Sequence, residues 1–383
     1  MNTKMYKHHI IPLLVTIILG VIIIISSNLI FDSGFLKDKQ NKGVEYYEAE
    51  VKDILRENLQ DDKYIDDVEL GYQEVRLKIL DGPYSEQEYE ITNTVSRLYN
   101  MKVKEGSKVI IGMYFIDGVI KDVTISSFKR SSILWVMAML FFLVILLVGG
   151  LKGLKSIVSL VFTMICVVFL MLPLMLRGVS PIISAIIIAI VSITATLTLV
   201  SGINRKSFSA ILGTLTGVLI AGILAYIFGE LTNLSGINMS DSESIMYIAE
   251  TTGLKVKGIM FAGILVSALG AVMDVSMSIS SSIFEISVLN KDISIKGLFK
   301  SGMNIGRDVI GTMSNTLILA FAGGSLNTLI LIYSSSMTAN QLFNLDVLGT
   351  ELIQGLAGSI GIILTVPITA IISAYLCKKK LNS

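Results

Sequence analysis

Asp274 is the residue whose position in this chain most demands a chemical explanation. It lies in GIMFAGILVSALGAVMDVSMSISSSIF, residues 258–284, and is the only carboxylate set deep inside a long apolar stretch. An Asp at the centre of a membrane helix costs roughly 2.5–3.5 kcal/mol on insertion. Such residues are kept where they bind an ion, relay a proton or pair with another polar group. On a helix turning about 100° per residue, one face collects Gly263, Ser267, Gly270, Asp274, Ser278, Ser281 and Glu285. Small and hydroxyl-bearing residues in one stripe let a second backbone approach closely, which makes a tight helix seam one reading. The other reading is the wall of a solvated path in which Asp274 takes a cation or a proton.

The next apolar stretch is also polar on one side. LFKSGMNIGRDVIGTMSNTLILAFAGGSLNTLILIY, residues 298–333, brings Asn304, Asp308, Gly311 and Asn315 close to one face, with Arg307 beside them. At 1.5 Å per residue, Asp274 is expected about 15 Å from the inner end of its span and Asn315 about 10 Å from its own, so the two can meet directly or through one water. The expected substrate or ion path is therefore Asp274, Ser278, Ser281, Asn315, Ser267 and Gly270. Glu285, Arg307 and Asp308 are expected to form an ion-pair cluster at its cytoplasmic mouth. Gly323-Gly324-Ser325 is a place where the later span can break, as transporter helices do.

Other chemistries lack their residues. The two histidines, His8 and His9, precede the first apolar run, which leaves a serine hydrolase without a base at depth. An aspartyl pair needs two carboxylates at one depth, whereas Asp308 is expected near the water interface. There is no HExxH, P-loop or dinucleotide-binding glycine pattern. Glu230, Asp241, Glu243 and Glu250, in the loop 229–257, follow no metal-ligand spacing. Cys166 and Cys377 read as small apolar fillers rather than a disulfide. No catalytic residue, cofactor, metal or nucleic acid is expected.

The elements that must position these residues are membrane spans. Over half of the 383 residues are hydrophobic (52%) and 16% are charged, with a mean hydropathy of +0.73, a balance of integral membrane proteins. Eight stretches are long enough to cross a hydrocarbon core of about 30 Å, near 10–31, 132–149, 156–176, 181–201, 207–228, 258–284, 308–333 and 350–376. Lys4 and Lys7 ahead of the first also suit a signal peptide, but the lack of an A-x-A-like cleavage site favours a retained signal anchor. With the N-terminus inside, thirteen Lys and Arg fall in inner loops and five at outer ends, so both termini are expected in the cytoplasm and 32–131 outside.

The outer segment reads as β structure. SKVIIGMYFIDGVIKDVTI, from Ser107, alternates Val109, Ile111, Met113 and Phe115, turns at Asp117-Gly118 and alternates again. YQEVRLKIL at 72–80, EYEITNTV at 88–95 and EYYEAEVKDIL at 45–55 complete about five strands, enough for a small OB-like barrel. Residues 32–128 carry 20 acidic and 13 basic residues, a local charge of −7. The expected fold is thus an α-helical multi-span membrane protein with a β-rich domain inserted after the first helix. Its parts are 1–31 as N-terminus and anchor, 32–131 as the outer domain, and 132–383 as a seven-helix body.

The runs SALGAVMDVSMSISSSIFEI, 267–286, and LFKSGMNIGRDVIGTMSNTLILAFAGGSL, 298–326, resemble the YibE/F-like family of bacterial membrane proteins. The resemblance extends to the plan of anchor, outer domain and multi-span body. It implies an inner-membrane protein often supposed to be a permease, and brings no established substrate or functional residue. The residues themselves favour a permease for a small solute or ion, with cation or proton coupling through Asp274. The competing expectation is an envelope binding, assembly or sensing protein whose outer domain recognises a protein partner, with Asp274 structural. The lipid bilayer is a partner in either case.

Overall fold

Alternating apolar residues build the sheet as the sequence predicts. The computed structural model describes residues 3–30, 43–116, 118–234 and 242–378. Strands β1 (Val44–Asp61), β2 (Glu69–Ile79), β3 (Glu88–Val95), β4 (Lys108–Ile116) and β5 (Val119–Phe128) form one antiparallel sheet in the order β3-β2-β1-β4-β5. Cyclically, that is the OB-type strand order. β3 and β5 approach each other without pairing, which leaves a half-barrel. Val51, Val75, Leu77, Ile79, Val109, Ile111 and Met113 are fully buried and form its core. Asp117 of the predicted turn lies outside the described residues, while Gly118 takes the positive φ (75°) that a tight hairpin needs.

A loop, not a helix, joins β3 to β4, and buried amides hold it to the sheet. Gln73 Nε2 donates to Val103 O (3.0 Å), and Val103 N donates back to Gln73 Oε1 (2.9 Å). Asn93 Nδ2 donates to Met101 O at 2.8 Å and to Gln73 Oε1 at 3.2 Å. At the far end Asp62, whose side chain is wholly enclosed, takes hydrogen bonds from Arg97. That bond, with the Tyr64 backbone amide, holds the Asp62 carboxyl below its ordinary value.

The remaining elements are helical. They are α1 (Thr3–Ile30), α2 (Ser131–Cys166), α3 (Leu172–Leu176), α4 (Pro181–Ser201), α5 (Arg205–Leu231), α6 (Ser242–Thr251), α7 (Ile259–Leu289), α8 (Ile295–Gly324), α9 (Leu326–Ser334), α10 (Ala339–Phe343) and α11 (Asp346–Lys378). Among the described residues six apolar runs are long enough to cross a membrane, and α8 with α9 makes a seventh if that bent pair counts as one. One run, Ser131–Leu176, is 46 residues long and contains both spans expected at 132–149 and 156–176. It breaks at Gly150 (φ 54°, ψ −134°). A Cβ on Gly153 would stand 2.3 Å from the carbonyl oxygen of Ile145. In an unbroken helix those residues lie about 12 Å apart, so the chain doubles back here. The chain forms two compact units, Phe31–Val144 and Met1–Ile30 with Ile145–Ser383.

The helical unit is centred on α5, α7 and α11, which pack against one another with little side-chain bulk between them. A Cβ added to Gly213 would stand 2.0 Å from Thr369 Oγ1, and one on Gly217 1.7 Å from Thr365 Oγ1. Hydroxyls bond across the contact: Ser209 with Ser280 (2.6 Å) and Ser373 (3.0 Å), and Thr369 to Ser276 (3.3 Å). α4 packs on α7, and α8 lies along α11. Cys166 and Cys377 are free thiols buried in the bundle.

Two outcomes follow from this packing. Gly217→Ala should lower detergent-solubilised thermal stability by about 1–3 kcal/mol through overpacking. Gly270→Ala, whose Cβ meets nothing within 4 Å, should be neutral or gain up to about 1 kcal/mol; equal melting temperatures for the two variants would contradict the seam. In the sheet, Asp62→Asn should speed amide exchange of residues 96–100 in the full-length protein at neutral pH. Because the Asp62 pKa is lowered on folding, its contribution is present above the ordinary value of 3.8 and fades as pH falls through the lower, folded value. The difference in exchange between wild type and variant should fade over the same range.

Candidate functional site

α7 divides sharply by face. Val272, Met273, Val275, Ser276, Ile279, Ser280 and Ile283 are buried against neighbouring helices. Gly263, Ser267, Gly270, Asp274, Ser278 and Glu285 are exposed, and Ser281 is half-buried. From Met260 to Ile286 the polar stripe is thus the open side of a helix otherwise packed against protein. Neither Gly263 nor Gly270 would bring an added Cβ within 4 Å of another atom, so among the described residues no helix packs there.

The tight seam does exist, but on the opposite side of α7. Its hydroxyls are Ser276 and Ser280, not those beside Asp274. Sequence periodicity alone finds one small-residue stripe and overlooks this second one, because Ser276 and Ser280 are interleaved with Val272, Ile279 and Ile283. The readable signal lay in the partners. Gln354, Gly358, Gly361 and Thr365 share a face of α11, and the last three are buried. A Cβ on Gly361 would stand 2.7 Å from Ala221 of α5.

Asp274 makes no hydrogen bond or ion pair among the described residues. Ser267 Oγ donates within its own helix, to Ile264 O at 3.1 Å. Asn315 is exposed and not hydrogen-bonded to Asp274, so the expected direct contact is not formed. Asn304, Asp308, Gly311 and Asn315 do share a face, the one turned away from Gly302, Gly306 and Leu317, which are buried.

The expected cytoplasmic mouth requires correction. α8 begins at Ile295, capped by Ser294 accepting from Gly297 N, so Arg307 and Asp308 lie more than three turns inside the helix rather than at its start. The amphipathic stretch 295–307 is too polar to be counted with the apolar span, yet it continues the same helix. Glu285, Arg307 and Asp308 are all exposed and form no ion pair with one another. The packing also resets their depth. Gly302 meets Ile283 of α7, where an added Cβ would stand 2.5 Å away. Continuing that antiparallel register puts Gly311 level with Asp274, and Asp308 and Asn315 within about a turn on either side. Asp308 is therefore nearer in depth to Asp274 than to Glu285, and the interfacial position used above against an aspartyl pair does not hold. The two carboxyls nevertheless share no hydrogen bond.

The later break is present: α8 and α9 meet at Ser325 with a bend of 65°. The loop 229–257 contains the short helix α6 and is tied down by Lys257, which bonds Glu230 at 2.7 Å, and by Gly253 N donating to Leu176 O at 3.1 Å. Asp241 lies outside the described residues. What α7 and α8 supply is an uncompensated carboxylate among hydroxyls and glycines, with an Asp, an Asn and an Arg at similar depth on the next helix. Such a surface suits ion or proton binding, and it offers no nucleophile with an adjacent base.

No curated protein and no solved structure matches the chain. The family model for YibE/F-like protein matches residues 137–379, which include all of α7, α8 and α11 and none of the sheet. This membrane protein therefore belongs to the YibE/F-like family.

Proposed function

We propose that the open face of α7 is one wall of a path for a cation, or for a small solute moved with a proton or cation, and that Asp274 is its ionisable group. One observation carries this reading: from Met260 to Ile286, α7 is exposed only along the stripe that bears Gly, Ser, Asp and Glu. Hydrocarbon against that stripe would leave Asp274 paying roughly 2.5–3.5 kcal/mol with no partner to offset it. Water in a groove removes most of that cost. The open glycines leave room for it, and Asn315 and Asp308 add polar groups at nearby depth. The reading places the protein in a bacterial inner membrane with both termini cytoplasmic.

A second reading, recognition of a partner by the sheet domain, is favoured by a cluster of exposed aromatic and aliphatic side chains at one end of the sheet.

Thiol accessibility tests the groove. In full-length protein with Cys166 and Cys377 replaced by Ala, Ser278→Cys should react with a membrane-impermeant thiol reagent at least about tenfold faster than Leu219→Cys, an exposed residue of α5. Equal, slow reaction of both would sink the solvated path. In proteoliposomes under a potassium diffusion potential, with an internal pH dye, wild type should carry protons. Asp274→Asn should reach normal membrane abundance and lose at least about 90% of that flux. Undiminished flux in the variant would remove Asp274 from the mechanism.

A further inference from the structure

The exposed cluster is built by two loops of the sheet domain, 62–68 between β1 and β2 and 96–107 between β3 and β4. Tyr64 is 84% exposed, Leu98 81%, Tyr99 64% and Ile65 47%. Large apolar side chains this open usually sit on mobile segments, but here the backbone beneath them is held in place. Arg97 spans the loops. It bonds the enclosed carboxylate of Asp62 through Nη2 (2.9 Å) and Nε, and its guanidinium lies 5.5 Å from the centre of the Tyr64 ring. Asp62 Oδ1 also accepts from Tyr64 N at 2.8 Å. Ser96 N donates to Tyr99 O, and Tyr99 N to Ser96 Oγ, both at 3.1 Å. Asn100 Nδ2 then fastens this turn to Glu69 O at 2.7 Å. A rigid backbone presenting tyrosine and leucine is the anatomy of a binding anchor, since little entropy remains to be lost on docking.

We infer that Tyr64, Ile65, Leu98 and Tyr99 form a docking site for a cationic amphipathic segment of a partner protein. This rests on the second reading above and assigns its residues and the chemistry of its ligand. The charge beside the patch selects that occupant. Asp61, Asp66 and Asp67 are exposed and take part in no ion pair among the described residues, with Lys63 the basic residue between them. A second copy would set like charges face to face, in a domain segment whose sequence already carries −7. An anionic lipid surface would be repelled in the same way. The patch is also remote from the point where the chain enters α2. Phe128 pairs with Val109, which pairs with Ala49. From there β1 runs on to Asp61, a contour of up to about 40 Å before the loop begins.

The test uses the full-length protein in zwitterionic nanodiscs, with empty discs subtracted. The probe is a labelled amphipathic helix of Leu and Lys; the control is its Leu and Glu counterpart. The Lys peptide should bind with a Kd of about micromolar order and the Glu peptide should not. Tyr64→Ser with Leu98→Ser and Tyr99→Ser should weaken binding about tenfold or more. Asp66→Asn with Asp67→Asn should weaken it about threefold, and less so at high salt. Unchanged amide exchange at Asp62, Arg97 and Asn100 would show that the loops remain folded in the triple variant. The inference is overturned if the triple variant binds the Lys peptide as wild type does, or if neither peptide binds. Wild-type self-association that the triple variant abolishes would overturn it in favour of a second copy, and capture of phosphatidylglycerol vesicles in favour of lipid. Retained peptide binding in the triple variant would still leave the sheet domain a recognition module, with its site elsewhere.

Discussion

Close backbone approach among α5, α7 and α11 is the constraint from which the rest of the helical unit follows. Thr365 and Thr369 occupy the space that side chains at Gly217 and Gly213 would need. Hydroxyls then bond across helices where apolar residues would hold them apart. With hydrocarbon outside, helices gain little from apolar burial alone, so van der Waals fit and interhelical hydrogen bonds must supply the association. Once α7 gives its far side to this seam and its flanks to α4 and α8, a single face is left. That face carries Asp274.

The placement separates two jobs that one helix face cannot do together. A seam needs hydroxyls whose partners are fixed, as Ser209, Ser280 and Ser373 are. A path needs polar groups whose bonding is incomplete, so that a passing ion or water can complete it. Ser276 and Ser278 stand two residues apart on α7 and fall on opposite sides of that division. The sheet domain keeps an analogous division: Gln73 and Asn93 spend their amides inward on the loop backbone, while the tyrosines of the same end face outward.

The sheet was legible almost strand by strand. Period-two alternation from Val109 to Phe115 fixes which residues face the core, and a one-residue error would have turned them outward. The long third loop was not, because its anchors are amides paired across 30 residues of sequence, Gln73 with Val103. Among the helices, the polar stripe of α7 was legible as a stripe, with packed seam and open side both left as readings. Periodicity reports which residues share a face and says nothing of what lies opposite. The start of α8 was hidden by Lys296, Lys300 and Arg307, which lower its hydropathy without ending its helix, and this displaced Arg307 and Asp308 by several turns.

The seam also imposes an order of events during synthesis. α5 and α7 emerge well before α11, yet Thr365, Thr369 and Ser373 are the groups that fill and bond the groove around Gly213, Gly217, Ser209 and Ser276. Until the ribosome has delivered that helix, Ser276 lacks the hydroxyl it bonds, while Ser280 already has Ser209 and the Lys206 carbonyl of α5. Shortening the chain by that one helix would therefore open the space beside Gly213 and Gly217 that Thr369 and Thr365 fill, in helices made long before it.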